Sequence, residues 1–232
     1  MKRWYKQAAV APLAGGFGVA LDGKTLNTPM RAPVLAPTQA LAQAIAGEWD
    51  AQGDTIAPAG MHLTRLAATA LDRIGPDPSN AVAEIAGYAA TDLLCHRAEG
   101  PDELARRQSQ TWQPILDWAA RRYGATLIAV QGVAPAAQPE AALAALRSAV
   151  AALDRFRLAG LHGVTVSSGS LVLGLALLEA HIDIERAWAA ADLDEAWQRA
   201  RWGDDPLAAK RRAGVEAELR AAARFLDLLR AR

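Results

Sequence analysis

The chain changes its pattern after its first 37 residues, and this change limits what it can fold into. Glycine, proline and asparagine interrupt residues 3–37 every few positions, and only short apolar stretches stand between them. Gly15 and Gly16 separate two alternating segments, while Asp22-Gly23 is typical of a two-residue hairpin turn because glycine tolerates a positive φ. This part of the chain predicts three or four short antiparallel strands.

Helical periodicity begins at Thr38, a suitable N-cap for a helix that ends near Gly53. Its apolar residues recur three and four positions apart, so this helix can cover one face of the sheet. The segment GPDP at 75–78 is the strongest candidate for a linker. We predict an α+β fold that is mostly α: a small N-terminal antiparallel β-sheet domain with a covering helix, residues 1–75, followed by a larger helical bundle domain, residues 76–232.

Helical patterns dominate the second domain. They predict helices at about 79–90 and 101–124, and a strand or extended crossing at 126–130. Four further helical blocks follow: EAALAALRSAVAALDRFRLAGL, SGSLVLGLALLEA, DIERAWAAADLDEAWQRARWG and DPLAAKRRAGVEAELRAAARFLDLLR. The longest apolar run is about eleven residues, well short of the roughly twenty that cross a bilayer, so we expect no membrane insertion.

Charge and cysteine content exclude several classes of protein. Lys+Arg and Asp+Glu balance at 25 each, so the overall field gives no reason to expect a nucleic-acid partner. The single Cys95 cannot form an internal disulfide or a CxxC site. The basic start, MKRWYKQ, is not followed by an apolar core of signal-peptide length. We therefore expect a protein of the bacterial cytoplasm.

The usual signatures of metal, nucleophile and cofactor sites are missing. The four histidines lie in separate segments without a second ligand at helical spacing, so we expect no metal site. Ser168 and Ser170 lack the flanking glycines of a nucleophile elbow, and helix capping explains them better. GGFGVAL is neither a dinucleotide fingerprint nor a P-loop. We expect no cofactor.

The stretch IAGEWDAQGDTIAPAGMHLTRLA, residues 45–67, offers carboxylates beside a tryptophan. Glu48 and Asp50 point about 200° apart on a helix, so they cannot share one substrate. A solvated helix face with Trp49 turned inward is the favoured interpretation. The alternative is a small hydrolase or transferase that uses Glu48, Asp50, His62 and Arg65 in a site between the two domains.

A second cluster lies in LDEAWQRARWGDD. Glu195, Gln198, Arg199 and Trp202 are spaced three, four and seven apart and lie along one helical face. Tryptophan and arginine often anchor protein interfaces. An ordinary helix with a Glu195–Arg199 pair explains the same spacing, and both interpretations stay open.

Seven segments together resemble one protein family, in order and over nearly the whole chain. They are RWYK, LDGKTLNTP, LAQAIAGEWDAQ, MHLTRLA, YAATDLLCHRA, QSQTWQPILDW and LDEAWQRARWGD. The chain resembles the assembly chaperone of the F1-ATPase α subunit. It departs from the family pattern at His62, where a proline is expected.

The resemblance implies a small α+β domain, a larger helical domain and a role without catalysis. Such a chaperone holds the unassembled F1-ATPase α subunit, shields the surface destined for β, and leaves when β arrives. Relatives act in the mitochondrial matrix; here we expect a cytoplasmic monomer. A permanent structural subunit is a further alternative.

The resemblance directs partner binding to the acidic helix segment, above all to Glu195, Trp202 and Gly203. Gln198 and Arg199 share that face and complete the predicted site. We also hypothesise that the last helices supply part of an exposed groove rimmed by charge, although most of its tryptophans are expected in the core. The residues in reach of this groove are Trp188, Trp197, Trp202, Phe225 and Leu226.

Overall fold

The computed structural model describes residues 1–132 and 136–231. Two compact units make up the chain: the first contains Met1–Pro78, Asp154–Gly160 and the chain from Ala221 onward, and the second contains Ser79–Leu153 and Leu161–Arg220. A small antiparallel sheet begins the chain and helices dominate the rest, which confirms the α+β, mostly α fold class. The domain limits 1–75 and 76–232 stay a prediction.

The sheet of the first unit has four strands, and β2 pairs antiparallel with the other three. The strands are β1 (Ala8–Leu13), β2 (Gly16–Leu21), β3 (Lys24–Thr25) and β4 (Leu35–Ala36). Asp22 and Gly23 have φ values of 46° and 79°, as both central residues of a type I′ turn require. The predicted hairpins and turn are confirmed.

Helix α1 (Gln39–Asp50) packs against β1 and β2 through its apolar face. The Oγ1 of Thr38 accepts a hydrogen bond from the backbone N–H of Leu41 at 3.2 Å, so the predicted cap is confirmed. Leu41 and Ile45 are fully buried, and each such side chain stabilises the fold by about 1.5–3 kcal/mol. This is the predicted covering helix.

Helix α2 (His62–Thr69) follows in the first unit and continues as a π-helical turn, Ala70–Ile74. The N–H of Gly75 donates to the carbonyl of Ala70 at 2.9 Å and ends the turn. The helix that the sequence predicts up to Gly75 is thus present, with a widened last turn.

The remaining helices and a two-stranded parallel sheet follow. Helices α6 (Arg155–Ser168) and α10 (Pro206–Arg230) contribute residues to both units. Trp112 of α4 (Asp102–Tyr123) is fully buried, and its Nε1 donates to the Ala190 carbonyl at 2.9 Å. The elements are α3 (Ser79–Gly87), β5 (His96–Arg97), α4 (Asp102–Tyr123), β6 (Val130–Gln131), α5 (Glu140–Ala151), α6 (Arg155–Ser168), α7 (Leu171–Leu178), α8 (Ile184–Ala191), α9 (Leu193–Trp202) and α10 (Pro206–Arg230).

Two of the four predicted helical blocks are each divided in the structure. The first breaks between α5 and α6 because Asp154 caps a new helix: its Oδ1 accepts from the N–H groups of Phe156 at 2.9 Å and Arg157 at 3.0 Å. The third breaks at Asp192, between α8 and α9. The Asp154 carboxylate offers the backbone a local alternative to helix continuation, whereas the Asp192 carboxylate makes no cap bond and pairs with Arg199 and Arg212. The segment predicted as a strand or an extended crossing at 126–130 contributes only Val130 to β6.

Ser170 is the N-cap of α7, with its Oγ accepting from the N–H of Leu173 at 3.0 Å. Ser168 is instead the last residue of α6, and its hydroxyl donates to the Val164 carbonyl. The predicted helix capping by Ser168 or Ser170 is therefore confirmed, and Ser170 is the residue that caps. None of the described helices combines the length and apolar character of a membrane span.

Candidate functional site

The end of α9 and the start of α10 enclose a cleft of about 220 Å³. All five residues predicted for partner binding line this cleft. We call it the α9–α10 cleft; its lining residues are Glu195, Gln198, Arg199, Trp202, Gly203, Asp204, Asp205, Ala208, Arg211 and Arg212.

A three-residue connection brings the two helices together. Gly203 has φ 83°, and its N–H donates to the Arg199 carbonyl at 2.9 Å to end α9. A positive φ of this kind favours glycine. The Oδ1 of Asp205 then accepts from the N–H of Ala208 at 2.8 Å and caps α10. The sequence Gly-Asp-Asp-Pro thereby sets the shape of the cleft.

Ion pairs from Asp192 join the two helices beneath the cleft. Arg212 holds both carboxylate oxygens of Asp192 at 2.7 Å, and Arg199 donates to the same carboxylate at 3.1 Å. Burial disfavours the charged carboxylate, but the hydrogen bonds from Arg212 and Arg199 outweigh it, and the pKa of Asp192 is lowered. Because bidentate arginine pairs are geometrically specific, this cluster fixes the relative position of α9 and the first turns of α10.

Glu195 pairs across the cleft with Arg211, at 3.2 Å from Oε1 to Nη2. The alternative prediction of a Glu195–Arg199 pair along α9 is wrong, because Arg199 turns to Asp192. Both side chains of the Glu195–Arg211 pair are exposed, and exposed pairs contribute only about 0–1 kcal/mol. Glu195 can therefore change partner at little cost.

Trp202 is the most distinctive residue of the cleft, with 76% of its surface exposed. Leu207, five residues on at the start of α10, is 79% exposed. These are the two most exposed large apolar side chains in residues 1–132 and 136–231. An isolated Trp and Leu that stand in solvent beside a charged cleft form a natural anchor for another protein.

The larger aromatic groove that the sequence suggests is not formed. Phe225 and Leu226 are 0% and 1% exposed and belong to the core of the first compact unit. Trp197 is 7% exposed, and the guanidinium groups of Arg107 and Arg201 lie 4.9 and 4.6 Å from its ring centroid. Apolar residues at this helical spacing form the face of a helix that packs on the core, and here they do not form a groove.

Trp188 is half-buried, and the guanidinium of Arg212 lies 5.0 Å from its ring centroid. Such arginine–tryptophan stacking stabilises by about 0.5–1 kcal/mol at an exposed site. Of the five residues suggested for the groove, only Trp202 stands in solvent.

The carboxylate of Glu48 has a structural role. It accepts hydrogen bonds from the N–H groups of Leu63 and Thr64, each at 2.8 Å, and from the Thr64 hydroxyl at 2.7 Å. These donors are the first residues of α2, whose N-terminus favours negative charge. The prediction that Glu48 lies on a solvated face is wrong, because its side chain caps a neighbouring helix.

Asp50, His62 and Arg65, the other residues of the alternative hydrolase or transferase site, also make contacts within the fold. Asp50 accepts from the Ala8 N–H at 2.7 Å, and Arg65 Nη2 lies 3.0 Å from His62 Nδ1. Trp49 is half-buried and its ring packs edge-on against Tyr5, with centroids 5.7 Å apart. The contacts of residues 45–67 join α1 to the N-terminal segment and to α2, so this stretch has a structural role.

Sequence reasoning missed the wall of the cleft that α10 supplies. Arg211 and Arg212 lie 16 and 20 residues from their acidic partners, beyond the reach of helical spacing. The signal that could have found them is the short Gly203–Asp205 connection, which places the end of one helix beside the start of the next. In the described part of the chain, no group of three His, Cys, Asp or Glu residues could hold a metal ion.

Comparison with known proteins identifies relatives for this chain. A family model described as ATP12 chaperone protein matches residues 2–120. The mitochondrial protein atp12 of Schizosaccharomyces pombe is 22% identical over 214 residues, which is 87% of this chain and 74% of that protein.

Two solved structures are similar over nearly the whole chain. The crystal structure of Atp12 from Paracoccus denitrificans has 40% identity and a TM-score of 0.92, covering 99% of this chain and 98% of the other. The Atu1473 protein of Agrobacterium tumefaciens has 42% identity and a TM-score of 0.93, covering 99% of this chain and 86% of the other. The α9–α10 cleft lies beyond the family-model match but within the region that these structures cover.

Proposed function

Because this chain belongs to the ATP12 chaperone family, with a chaperone role in ATP synthase assembly, we propose that its client is the unassembled F1-ATPase α subunit. It shields the β-facing surface of α from aggregation and releases α as F1 assembles. It acts as a monomer in the bacterial cytoplasm, without catalysis.

The observation that carries this proposal is the exposure of Trp202 beside the α9–α10 cleft. Trp202 is 76% exposed, and the cleft next to it offers the carboxylate of Glu195 and the guanidinium of Arg211. Tryptophan and arginine are the residues most often found at the energetic centre of an interface. We propose Glu195, Gln198, Arg199, Trp202 and Gly203 as client-binding residues.

A holding role explains why the site is small and charged at its edge. An unpaired subunit of an alternating ring exposes apolar interfaces, and patches beyond a few hundred Å² promote aggregation. The chaperone must cover such a patch and then yield it. If β binds α about 2.8 kcal/mol more tightly at the same face, exchange is favoured about a hundredfold. This exchange requires no ATP.

An enzymatic role would need acid, base and nucleophile groups placed for chemistry. The carboxylate best placed for this by sequence, Glu48, is occupied by three donors of α2. No observation favours a hydrolase or transferase over a holder of another polypeptide.

Affinity capture from a lysate in which the F1 genes are expressed tests the proposal. The tagged protein is expected to recover free α subunit with little β and little intact F1. Recovery of the whole F1 complex would indicate a permanent subunit, and recovery of neither would contradict the proposal.

The variant Glu195→Lys reverses the charge on the cleft wall while removing only an exposed ion pair. It is expected to keep the unfolding midpoint of the wild type and to recover less α subunit. Asp227→Lys, which removes an exposed pair with Arg230 near the C-terminal end of α10, is the matched control. Unchanged capture by Glu195→Lys would remove Glu195 from the site.

A further inference from the structure

Trp202 differs from every other tryptophan in residues 1–132 and 136–231, because its ring has no aromatic or cationic partner there. In three of the others an arginine guanidinium lies 4.6–5.0 Å from the ring centroid. Arginine is thus the cation that this fold places most often against an indole ring. The tryptophans with a partner are Trp4, Trp49, Trp112, Trp118, Trp188 and Trp197.

Asp204 places a carboxylate close to this ring. It lines the α9–α10 cleft, it is exposed, and within the described chain its side chain has no hydrogen bond and no ion pair. The pKa of Arg212 is raised chiefly by the hydrogen bonds to Asp192, and the charge of Asp204 adds to this. Asp192 holds that guanidinium at 2.7 Å through both Nε and Nη2, so Arg212 is not available to pair with Asp204.

Carboxylates outnumber guanidinium groups around the cleft. Asp192 takes two of the three arginines, and Glu195 pairs with the third, Arg211, at 3.2 Å. One negative charge is left over when Asp192, beneath the cleft, is counted with the lining residues. The charged groups are the carboxylates of Asp192, Glu195, Asp204 and Asp205 and the guanidinium groups of Arg199, Arg211 and Arg212.

These features select the chemistry of the side chain that binds here. An anion would meet the excess of negative charge, and an apolar side chain would leave Asp204 without a partner. A cation satisfies both the carboxylate and the electron-rich face of the indole ring. Trp202 and Asp204 are two residues apart, so their Cα atoms lie within about 7 Å of each other, and one side chain can contact both.

We propose that the α9–α10 cleft recognises an arginine side chain of the client, with its guanidinium flat on the ring of Trp202 and its N–H groups donating to Asp204. Arginine suits this site better than lysine because a planar guanidinium stacks on an aromatic face while it donates from its edge. This inference rests on the proposed function for the identity of the client.

Short peptides test the site without the client. Acetyl-Gly-Arg-Gly-amide is titrated into ¹⁵N-labelled protein, and the indole N–H signals are followed by NMR. The Trp202 signal is expected to move, and the citrulline analogue, which keeps the shape but lacks the charge, should move it less than about a third as far. Trp4 is the internal control, since it is 53% exposed and Lys24 Nζ already lies 6.0 Å from its ring centroid; its signal should stay in place.

Two substitutions of Trp202 separate cation binding from apolar contact on the purified α subunit. Trp202→Leu keeps an apolar side chain without an aromatic face, whereas Trp202→Phe keeps that face. Trp202→Leu is expected to bind α about fivefold more weakly than Trp202→Phe. Because position 202 is exposed, both variants should keep the unfolding midpoint of the wild type.

Asp204→Asn removes the negative charge and keeps the shape of the side chain. It is expected to weaken binding of α about fivefold, because a charge-assisted hydrogen bond becomes a neutral one. Asp54→Asn is the matched control: Asp54 is an exposed aspartate of the first unit whose carboxylate also has no hydrogen bond or ion pair in the part of the chain described. This control should bind α as the wild type does.

Three results would overturn the inference. The first is an equal movement of the Trp202 signal by the arginine and citrulline peptides, or no movement by either. The second is an equal affinity of Trp202→Leu and Trp202→Phe for α. The third is self-association of the wild type that Trp202→Leu abolishes, measured by light scattering, because the occupant would then be a second copy of this chain.

The two proposals fail in different ways. Capture of whole α subunit by the wild type, with no difference between the two peptides, would contradict arginine recognition and leave the client intact. Movement of the Trp202 signal by the arginine peptide alone, without capture of whole α subunit, would support the arginine site and contradict the proposed client.

Discussion

The Oε2 of Glu48 accepts two hydrogen bonds from Thr64, one from its N–H at 2.8 Å and one from its hydroxyl at 2.7 Å. One carboxylate thus joins the end of α1 to the start of α2. Glu48 is therefore a helix cap supplied from a distant part of the sequence, and it links α1 to α2 within the first compact unit.

Replacing Glu48 by Gln should lower the free energy of unfolding by about 1–3 kcal/mol. One carboxylate oxygen becomes an amide group that faces N–H donors, and the negative charge at the N-terminus of α2 is lost. Urea denaturation measures the change. Glu103→Gln, which removes a surface pair with Arg107, should cost about 0.5 kcal/mol or less; equal losses in the two variants would contradict the capping role.

The buried carboxylate of Asp92 makes stability depend on pH. It is fully buried, and its oxygens accept from the N–H groups of Leu94 and Val172, each at 3.0 Å. Burial raises the pKa of Asp92 from 3.8 to about 6, against the opposing effect of these hydrogen bonds. Between these two pH values the folded state binds more protons than the unfolded state, so stability falls as pH rises.

The free energy of unfolding should therefore fall by about 2 kcal/mol between pH 4.5 and pH 7 because of Asp92 alone. Chemical denaturation at several pH values measures this slope. Asp92→Asn cannot ionise and should lose this part of the slope, at a lower stability throughout because its amide faces the N–H of Val172. An unchanged slope in the variant would show that Asp92 ionises normally.

Trp202→Ala should weaken binding of the α subunit by about 2 kcal/mol or more, the usual loss for a central aromatic anchor. The unfolding midpoint should stay unchanged because Trp202 is 76% exposed. Trp4→Ala is the matched control, since Trp4 is 53% exposed and lies outside the cleft. Surface binding of purified α subunit gives the affinities; equal affinity of both variants would exclude Trp202 from the interface.

Two glycines in helices should respond in opposite directions to alanine. A Cβ at Gly174 would lie 2.7 Å from Leu161 Cδ1 and 2.9 Å from Thr165 Oγ1, so Gly174→Ala should lose about 1–3 kcal/mol through overpacking. Gly47 in α1 has open space around its Cβ position, so Gly47→Ala should gain about 0.5–1 kcal/mol. Thermal unfolding of both variants tests this pair, and a gain in both would contradict the close packing of α6 and α7.

Local features were predictable from the sequence because their causes lie within a few residues. Thr38 caps α1 through a bond to Leu41, and the Asp22-Gly23 turn needs only its own two residues. The face of α9 with Glu195 and Trp202 also followed from helical spacing.

The partners of the charged groups were not predictable, because they come from distant parts of the chain. Glu48 bonds to Leu63, 15 residues away, and Glu195 chooses Arg211, 16 residues away, over Arg199. Helical periodicity continued through Asp154 and Asp192, where local capping and ion pairing end the helices instead. The cleft was not predictable from local spacing, because Ala208, Arg211 and Arg212 of its lining come from α10.

The central claim is that the protein occupies the face of α that β later takes, and displacement by β tests it most directly. Purified α subunit is bound to a fluorescently labelled sample of this protein, and β is added stepwise while the bound fraction is followed. The account predicts full release of the label as the α–β complex forms, without a species that contains all three chains. Label that stays on α at saturating β, or a stable complex of all three, would contradict it.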